Sequence, residues 1–367
     1  MSRHRLLLTS STLTATLLAA ATMLTPASRF VPSVRAQTTS TDANGSSDRT
    51  PEQIDTRFDN AEAYDKASVE ANPYAPDDSE QATAAAAPGL YPIPVPLPGG
   101  LGHVANGVGT RNAGYGTIRL RGAPAGAARV VAYLYWGTIQ NAPPPAQTIL
   151  FNGVKVSGRL IGTGQSCWCG GVFAAYRASV IALINPGING DYRVSAMPSA
   201  VTDGSDPWNS PCVLPLSEGA SLVVGYAHNS IPAAAQLFIN DGTVFFAAGT
   251  VNINNPLPAA VAPYKQLRHT RLGGDGQVGG STSSNLPITD ERTTLGPALT
   301  QIKGPASPFN GDSDWNGADG VPLNQLWDTH TDSFTKVLVP FGAPNYLVTY
   351  SAKGDCIYAV AHILNTF

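Results

Sequence analysis

The sequence predicts an all-β fold: a β-sandwich of jelly-roll type with long loops, held by disulfides and preceded by a signal peptide and a disordered linker. Three observations predict it. Residues 129–138 form an apolar run rich in β-branched and aromatic side chains, residues 148–156 contain a strong hairpin signal, and turns rich in Gly and Pro separate the other short apolar runs. Sandwiches and jelly rolls consist of many short strands joined in this way.

The run RVVAYLYWGT, residues 129–138, is the segment around which the other strands are expected to assemble. It is too short to span a membrane and has no polar face, so we predict a strand buried on both sides. Side chains alternate along a strand, which assigns Ala132, Leu134 and Trp136 to one face, and Val131, Tyr133 and Tyr135 to the other.

Two hairpins are predicted from their turn residues. Asn152-Gly153 lies between the alternating residues of TILFNGVKV (148–156), and Asp241-Gly242 lies within QLFINDGTVFF (236–246). Residues 172–184 are the one segment compatible with a helix, which would be short. Further strands are predicted at residues 116–121, 192–197, 220–227, 335–341, 346–351 and 356–364.

The chain divides into three predicted regions. Residues 1–36 have a basic start, a diluted apolar stretch and a small-x-small site ending at Ala36, as in a signal peptide; an uncleaved anchor is the alternative. Residues 37–100 are predicted to be a disordered linker, acidic at first and then Pro-rich, because they offer little apolar surface to bury. Residues 101–367 are the predicted β-sandwich domain.

The charge distribution excludes one class of partner. Residues 37–90 carry 11 acidic and 3 basic side chains, whereas residues 91–367 carry 14 acidic and 15 basic ones. A nearly neutral domain lacks the basic footprint of a nucleic-acid-binding protein, and no Lys/Arg cluster suggests an anionic membrane surface. We expect a secreted protein of the extracellular space or cell envelope, with no membrane span in the mature chain.

Four cysteines suggest two disulfides, because an exported chain with an even cysteine count commonly pairs them. Cys167 and Cys169 are too close to pair with each other, so each is expected to reach Cys212 or Cys356. Both connectivities remain open. A four-thiolate zinc site is a less favoured alternative, since zinc motifs usually have two-residue spacers.

Several of these segments together resemble a known type of domain. They are VVAYLYWGT, FNGVKVSG, YRASVIALI, GASLVVGYAH, QLFINDGT, LWDTHTDSF and GDCIYAVAHIL, in this order over residues 105–366. The series resembles an uncharacterised β-rich domain found in secreted and surface adhesin-like proteins of bacteria and archaea. One departure is Ser179, where an Asp is expected. The resemblance implies a β-rich extracellular domain and no particular reaction.

The segment GDSDWNGADG, residues 311–320, is a candidate calcium loop. Asp312, Asp314 and Asn316 occur at alternate positions before a Gly, and Asp319 offers a further oxygen ligand. Calcium prefers several such oxygens around a tight turn. Position 12 of such a loop is Leu323 instead of Glu, so a plain hydrogen-bonded loop is the alternative.

His330 is the acid–base candidate, since it lies between Asp328 and Asp332 and all three would share one face of a strand. No nucleophile motif accompanies it, and a structural role is favoured. The other domain histidines, His103, His228, His269 and His362, are scattered; His228 and His362 fall within strands or at strand ends and are interpreted as core or edge residues.

Trp208 and Trp315 occur in loops rich in Gly, Pro, Ser and Asp, where an exposed indole can stack on a sugar or anchor a protein. We therefore expect a non-enzymatic, adhesin-like protein that binds a glycan or a cell-surface protein, with calcium as a possible cofactor. The alternatives are a secreted carbohydrate-active hydrolase that uses Asp312, Asp314, Asp328 and His330, and a purely structural envelope component.

Overall fold

The computed structural model describes residues 88–94, 96–166, 168–205, 207, 210–275, 292–296, 300–302 and 326–367; the side chains of 248, 292–294, 300–302 and 351–356 lie outside this description. A 3₁₀ turn, Ile181–Leu183, interrupts a succession of β-strands, and no α-helix occurs in these ranges. The strands are β1 (Gly89–Pro92), β2 (Leu101–Gly109), β3 (Gly116–Leu120), β4 (Ala128–Gln140), β5 (Ala146–Phe151), β6 (Val154–Gln165), β7 (Val172–Ser179), β8 (Gly190–Ser195), β9 (Leu216–Ala227), β10 (Gln236–Pro256), β11 (Leu267–Gly274), β12 (Arg292–Leu295), β13 (Thr300–Ile302), β14 (Trp327–Phe334) and β15 (Asn345–Thr366).

The strands form two antiparallel sheets, which confirms the predicted all-β class. Sheet A has the order β1-β10-β15-β11-β14, with β12 between β15 and β13. Sheet B has the order β2-β9-β4-β7-β6-β5-β8-β3. These orders do not confirm the jelly-roll type of the predicted sandwich.

The predicted central strand is confirmed as β4, which is hydrogen-bonded between β9 and β7. Its two faces belong to different apolar clusters. Ala132, Leu134 and Trp136 enter the core that sheet B encloses, and Val131, Tyr133 and Tyr135 enter the layer between the sheets. The alternation of apolar side chains along this strand therefore predicted both buried faces correctly.

Sheet B curls around its own apolar core until its two edge strands meet. The amide of Asn106, on β2, donates a hydrogen bond of 2.9 Å to the carbonyl oxygen of Arg119 on β3. Gly116 is required at this seam, because a Cβ there would lie 2.7 Å from a methyl group of Val108. The edges are thus joined by side-chain contacts where no backbone ladder connects them.

Sheet A packs its inner face on sheet B. The ring of Phe173 on β7 stacks on Tyr358 of β15 with centroids 3.8 Å apart. Beside this contact, Asp241 accepts hydrogen bonds from Tyr135 and Arg177, which closes a buried polar contact between the sheets. Burial raises the pKa of the Tyr135 hydroxyl well above its ordinary value, and the adjacent Asp241 carboxylate adds to the shift.

The outer face of sheet A carries a separate core, because the long strands β10 and β15 bend and fold back over it. Their pairing shifts register between Ala247 and Gly249. Beyond this bulge, the carbonyl oxygen of Pro256 accepts a 2.7 Å hydrogen bond from Asn240 in the first half of the same strand. The returning halves of both strands therefore cover the outer face.

One predicted hairpin is confirmed and the other is wrong. Asn152 and Gly153 have φ angles of 50° and 81° and join β5 to β6, with Phe151 paired to Val154. Asp241-Gly242, by contrast, lies inside the continuous strand β10. Gly242 has a φ of 151°, and a Cβ there would lie 2.1 Å from the carbonyl oxygen of Gly89, so this Gly permits the close approach of β1 instead of a turn.

Further predictions of secondary structure need correction. The short helix at residues 172–184 is wrong, because residues 172–179 are strand β7 and only a 3₁₀ turn follows. The strand at 335–341 is also wrong, since this segment is a loop. The strands at 346–351 and 356–364 are parts of the single strand β15. Strand β1, residues 89–92, lies within the segment that the sequence assigns to the linker.

Candidate functional site

Four buried polar side chains lie side by side across the outer face of sheet A, one from each neighbouring strand. They are Asn240 on β10, His362 on β15, Arg271 on β11 and His330 on β14, and each is directly paired with the next. None is more than 2% exposed. We call these residues the polar row. Such a row in an apolar core is stable only if hydrogen bonds and ion pairs satisfy its members.

His330 is placed as its sequence neighbours predicted, on one face of β14 with Asp328 and Asp332. Its Nε2 atom lies 3.2 Å from the Asp328 carboxylate. Asp332 instead accepts a 2.6 Å hydrogen bond from the Arg271 guanidinium. The two carboxylates therefore hold two different partners, and His330 itself is only 2% exposed. A group so enclosed reaches a substrate only if the overlying strands move.

His362 is fixed in a neutral form by two hydrogen bonds. Its Nδ1 atom lies 2.8 Å from the amide oxygen of Asn255 and therefore donates, so Nε2 accepts the 2.5 Å hydrogen bond from the Tyr350 hydroxyl. Burial, reinforced by the nearby charge of Arg271, lowers the pKa of His362 to about 3. Burial also raises the pKa of the Tyr350 hydroxyl.

His269 lies two residues before Arg271, on the same face of β11, but it lacks hydrogen bonds like those of His362. Neither of its ring nitrogens has a hydrogen-bond partner among the described residues. Its ring lies 5.9 Å from that of Tyr346 and 5.4 Å from that of His362. Burial lowers the pKa of His269 well below its ordinary value, and the adjacent His362 and Arg271 add to the shift. The imidazole is therefore neutral at physiological pH.

His103 connects the two sheets from the other side. On β2 of sheet B, its Nε2 atom lies 2.8 Å from the Thr270 hydroxyl and its Nδ1 atom lies 3.1 Å from the amide oxygen of Asn365. Burial lowers the pKa of His103 to about 3. The sequence interpretation of His362 as a core or edge residue agrees with its buried position. The grouping of His103, His269 and His362 at sheet A had no local sequence signal, because the strands involved are far apart in the chain.

A cleft of about 770 Å³ opens on the described surface between the β6–β7 connection and β10. Thr163, Gly164, Gln165 and Ser166 line one part of it, Gly170, Gly171 and Val172 line another, and Phe245 and Ala247 line the side of β10, where the Phe245 ring is half-buried. The described residues that line the cleft carry no charged side chain. The cleft can therefore offer neutral hydrogen bonding and one aromatic surface.

The cleft wall is held by the loop that contains Trp168. The Cys169–Cys212 disulfide links this loop to the segment before β9, which confirms one of the pairings that the sequence left open. The indole nitrogen of Trp168 donates to Asp275 at 2.5 Å, and the Arg111 guanidinium lies 4.4 Å above the indole ring. Trp168 is thus a structural anchor for the loop beside the cleft.

Arg111 also forms a buried ion pair with Glu218, which precedes the central part of β9. Burial raises the pKa of the Glu218 carboxyl, although the positive charge of Arg111 opposes the shift. Because Glu218 is held by this pair, it does not offer an accessible carboxylate to the cleft. It is one of the two glutamates that the sequence places in the β domain.

The remaining predicted site residues lie outside the described part of the chain: Trp208, Trp315, Asp312, Asp314, Asn316, Asp319 and Cys167, together with the side chain of Cys356. Within the described part, no group of three His, Cys, Asp or Glu side chains has a geometry suited to a metal ion. The calcium loop and the second disulfide therefore stay predictions from the sequence.

Comparison with known proteins gives no family to which the chain can be assigned. No family model matches it, and no similar curated protein or solved structure is found. Among the described residues, no helix is both long and apolar enough to cross a membrane.

Proposed function

We propose that the chain is an exported, non-enzymatic binding protein of adhesin-like type, and that the cleft beside the Cys169–Cys212 loop binds an uncharged glycan. The lining of the cleft carries this proposal. Its described lining consists of Thr, Gln, Ser, Gly, Val and Ala residues with Phe245, and it contains no charged side chain. A partner with many hydroxyl groups and no charge matches such a surface.

The chemistry of sugars fits each part of this lining. Sugar hydroxyls both donate and accept hydrogen bonds, as uncharged polar residues do, and the lining includes Thr163, Gln165 and Ser166. The apolar face of a pyranose can pack on the ring of Phe245. A volume of about 770 Å³ lies in the range of small-molecule sites and suits one or two sugar units.

A hydrolase is the less favoured function, because the described carboxylates near the polar row and near the cleft are already paired with other side chains. Glycoside hydrolysis uses two carboxyl groups that both reach the scissile bond. Asp328 and Asp332 are held by His330 and Arg271 inside sheet A, and Glu218 is held by Arg111. Binding without cleavage therefore accounts better for the geometry.

An extracellular or envelope location and a calcium requirement belong to the same proposal. The disulfide supports an oxidising compartment, since such bonds persist mainly there.

If residues 311–320 bind calcium, chelation should lower the melting temperature of the protein. An unchanged melting temperature in chelator would remove calcium from the proposal and leave the cleft unaffected.

A glycan panel tests the proposal, with the purified chain measured in calcium and in chelator. Ala247 is exposed at the cleft, so Ala247→Trp should fill it and reduce glycan binding at least tenfold. Ala125→Trp is the matched control, because Ala125 is exposed in the turn before β4 and the cleft lies near the other end of that strand. Phe245→Ala should also weaken binding.

Recovery of shortened glycans would establish hydrolysis instead, and equal binding by both Trp variants would exclude the cleft.

A further inference from the structure

Two loops meet at one end of sheet A and close it. Residues 257–266 connect β10 to β11, and residues 335–344 connect β14 to β15. The N–H of Leu257 donates to the carbonyl oxygen of Pro344 at 2.8 Å, and the N–H of Gly342 donates to that of Val261 at 2.8 Å. We call the two loops together the end cap.

The end cap is held in place from below by Tyr264. Its buried hydroxyl accepts hydrogen bonds from the N–H groups of Leu338 and Val339, at 3.0 and 2.8 Å, and donates to the carbonyl oxygen of Val339 at 2.9 Å. Leu338 and Val339 are buried in the outer core of sheet A. These bonds occupy the backbone groups that a strand partner would use, which explains why this apolar run is a loop. They also fix its conformation before any partner binds.

The rest of the same apolar run faces outward. Val337 is 49% exposed and Phe341 is 52% exposed, and the Phe341 ring is supported edge-on by Tyr264 with centroids 5.7 Å apart. Other small apolar residues on the same two loops are also exposed: Pro258, Ala259, Ala260, Pro263, Pro340 and Pro344. So many exposed apolar residues on two hydrogen-bonded loops are unusual unless a partner covers them.

The charges of the end cap are of one sign. Lys265 and Lys336 are exposed, one on each loop, and neither loop contains an acidic residue. The sequence shows no basic cluster because these lysines are far apart in the chain, and folding brings their loops together. An apolar centre with a cationic rim is complementary to a surface that is apolar inside and anionic outside.

We propose that the end cap docks on an anionic lipid bilayer, with Phe341 and Val337 inserted at the boundary of headgroups and acyl chains and with Lys265 and Lys336 against the lipid phosphates. A second copy fits less well, because a symmetric contact would bring the lysines of both copies together. The prolines, which lack an N–H donor, also disfavour strand pairing through this edge. This inference is independent of the glycan cleft.

Vesicle co-sedimentation of the full chain tests the proposal. Vesicles of phosphatidylcholine with phosphatidylglycerol should bind the protein, and vesicles of phosphatidylcholine alone should bind it much less. The double variant Val337→Ser/Phe341→Ser should lose at least tenfold in partition. Lys265→Gln/Lys336→Gln should lose the preference for anionic vesicles and the salt dependence that accompanies it. All variants carry the same N-terminal apolar segment, so differences between them belong to the end cap.

Two exposed apolar residues elsewhere provide the matched control. Tyr115→Ser and Val213→Ser remove side chains that are 49% and 45% exposed and should leave partition unchanged. Melting temperatures establish that every variant is folded. Equal partition of the Val337→Ser/Phe341→Ser variant and the unmodified protein would overturn the proposal. So would the absence of vesicle binding together with a concentration-dependent dimer that the same variant abolishes, which would identify a second copy as the occupant.

Discussion

The core inside sheet B and the core on the outer face of sheet A differ in the polar side chains that they bury. Sheet B surrounds apolar and aromatic side chains such as Trp136, Tyr176 and Phe151. The outer face of sheet A also carries an apolar cluster, but the polar row lies across the strands beneath that cluster. One Arg, two His and one Asn side chain are therefore buried there. The first core is stabilised mainly by packing, and the second also depends on keeping His269 and His362 neutral.

Because of this difference, the stability of the two cores should respond to different perturbations. A packed apolar core is sensitive to lost volume and insensitive to pH. A core that holds neutral histidines is sensitive to acid, because protonation places an unpaired charge in a poorly solvated site. The predictions below test this separation.

The largest effect is expected from Trp136→Ala in sheet B. Trp136 is fully buried, stacks on Tyr176 with centroids 5.7 Å apart, and donates to Gln147 at 2.8 Å. Its removal should lower the free energy of unfolding by about 3–5 kcal/mol, because it leaves a large cavity. Urea denaturation measures this loss, with exposed Tyr115→Ala as a control expected within about 0.5 kcal/mol of the unmodified protein. A loss below about 1 kcal/mol for Trp136→Ala would contradict the packing account.

An intermediate effect is expected from a matched pair of histidine variants in sheet A. His362→Phe should cost about 2 kcal/mol, because it leaves the oxygen of Asn255 and the hydroxyl of Tyr350 without their partner. His269→Phe should change stability by less than about 1 kcal/mol, since the ring nitrogens of His269 form no hydrogen bond with the described residues. Equal losses for the two variants would show that His269 has a partner as important as those of His362.

The smallest effect, for a single histidine over one pH unit, is a dependence of stability on pH. His103, His269 and His362 have folded-state pKa values below 6.5, so below that pH the unfolded chain binds more protons than the folded one. Stability should therefore fall as the pH decreases from about 6.5 towards about 3, by up to about 1.4 kcal/mol per pH unit for each histidine. Urea denaturation between pH 7.5 and 5 should show a shallower slope for His269→Phe and an unchanged slope for Trp136→Ala. Identical slopes in all three proteins would contradict the assignment of acid sensitivity to sheet A.

Local patterns predicted those parts of the fold in which neighbouring residues decide the structure. The alternation along residues 129–138 predicted both buried faces of β4, and Asn152-Gly153 predicted its hairpin. Asp241-Gly242 has the same turn composition, yet Asp241 is held by Tyr135 and Arg177 from sheet B. A contact across more than 60 residues thus overrides the turn signal, and no local pattern contains it.

The candidate sites were predictable to a smaller extent. Strand periodicity placed Asp328, His330 and Asp332 on one face, but their burial depends on Arg271 and on the returning halves of β10 and β15. The cleft is built from two segments about 80 residues apart, so its uncharged lining was not visible in the sequence. With Cys169 paired to Cys212, the predicted second disulfide can only join Cys167 to Cys356, which peptide mapping of the unreduced protein can test.

The order of the strands also determines when each sheet can be completed during synthesis. All strands of sheet B lie between residues 101 and 227, so it can form as soon as that segment emerges. Sheet A must wait for β15, which follows every other described strand in the chain and pairs with β10, β11 and β12. Until β15 arrives, β10 and β11 have unpaired edges that invite aggregation. A chaperone that shields these strands would therefore act late, after sheet B has already folded.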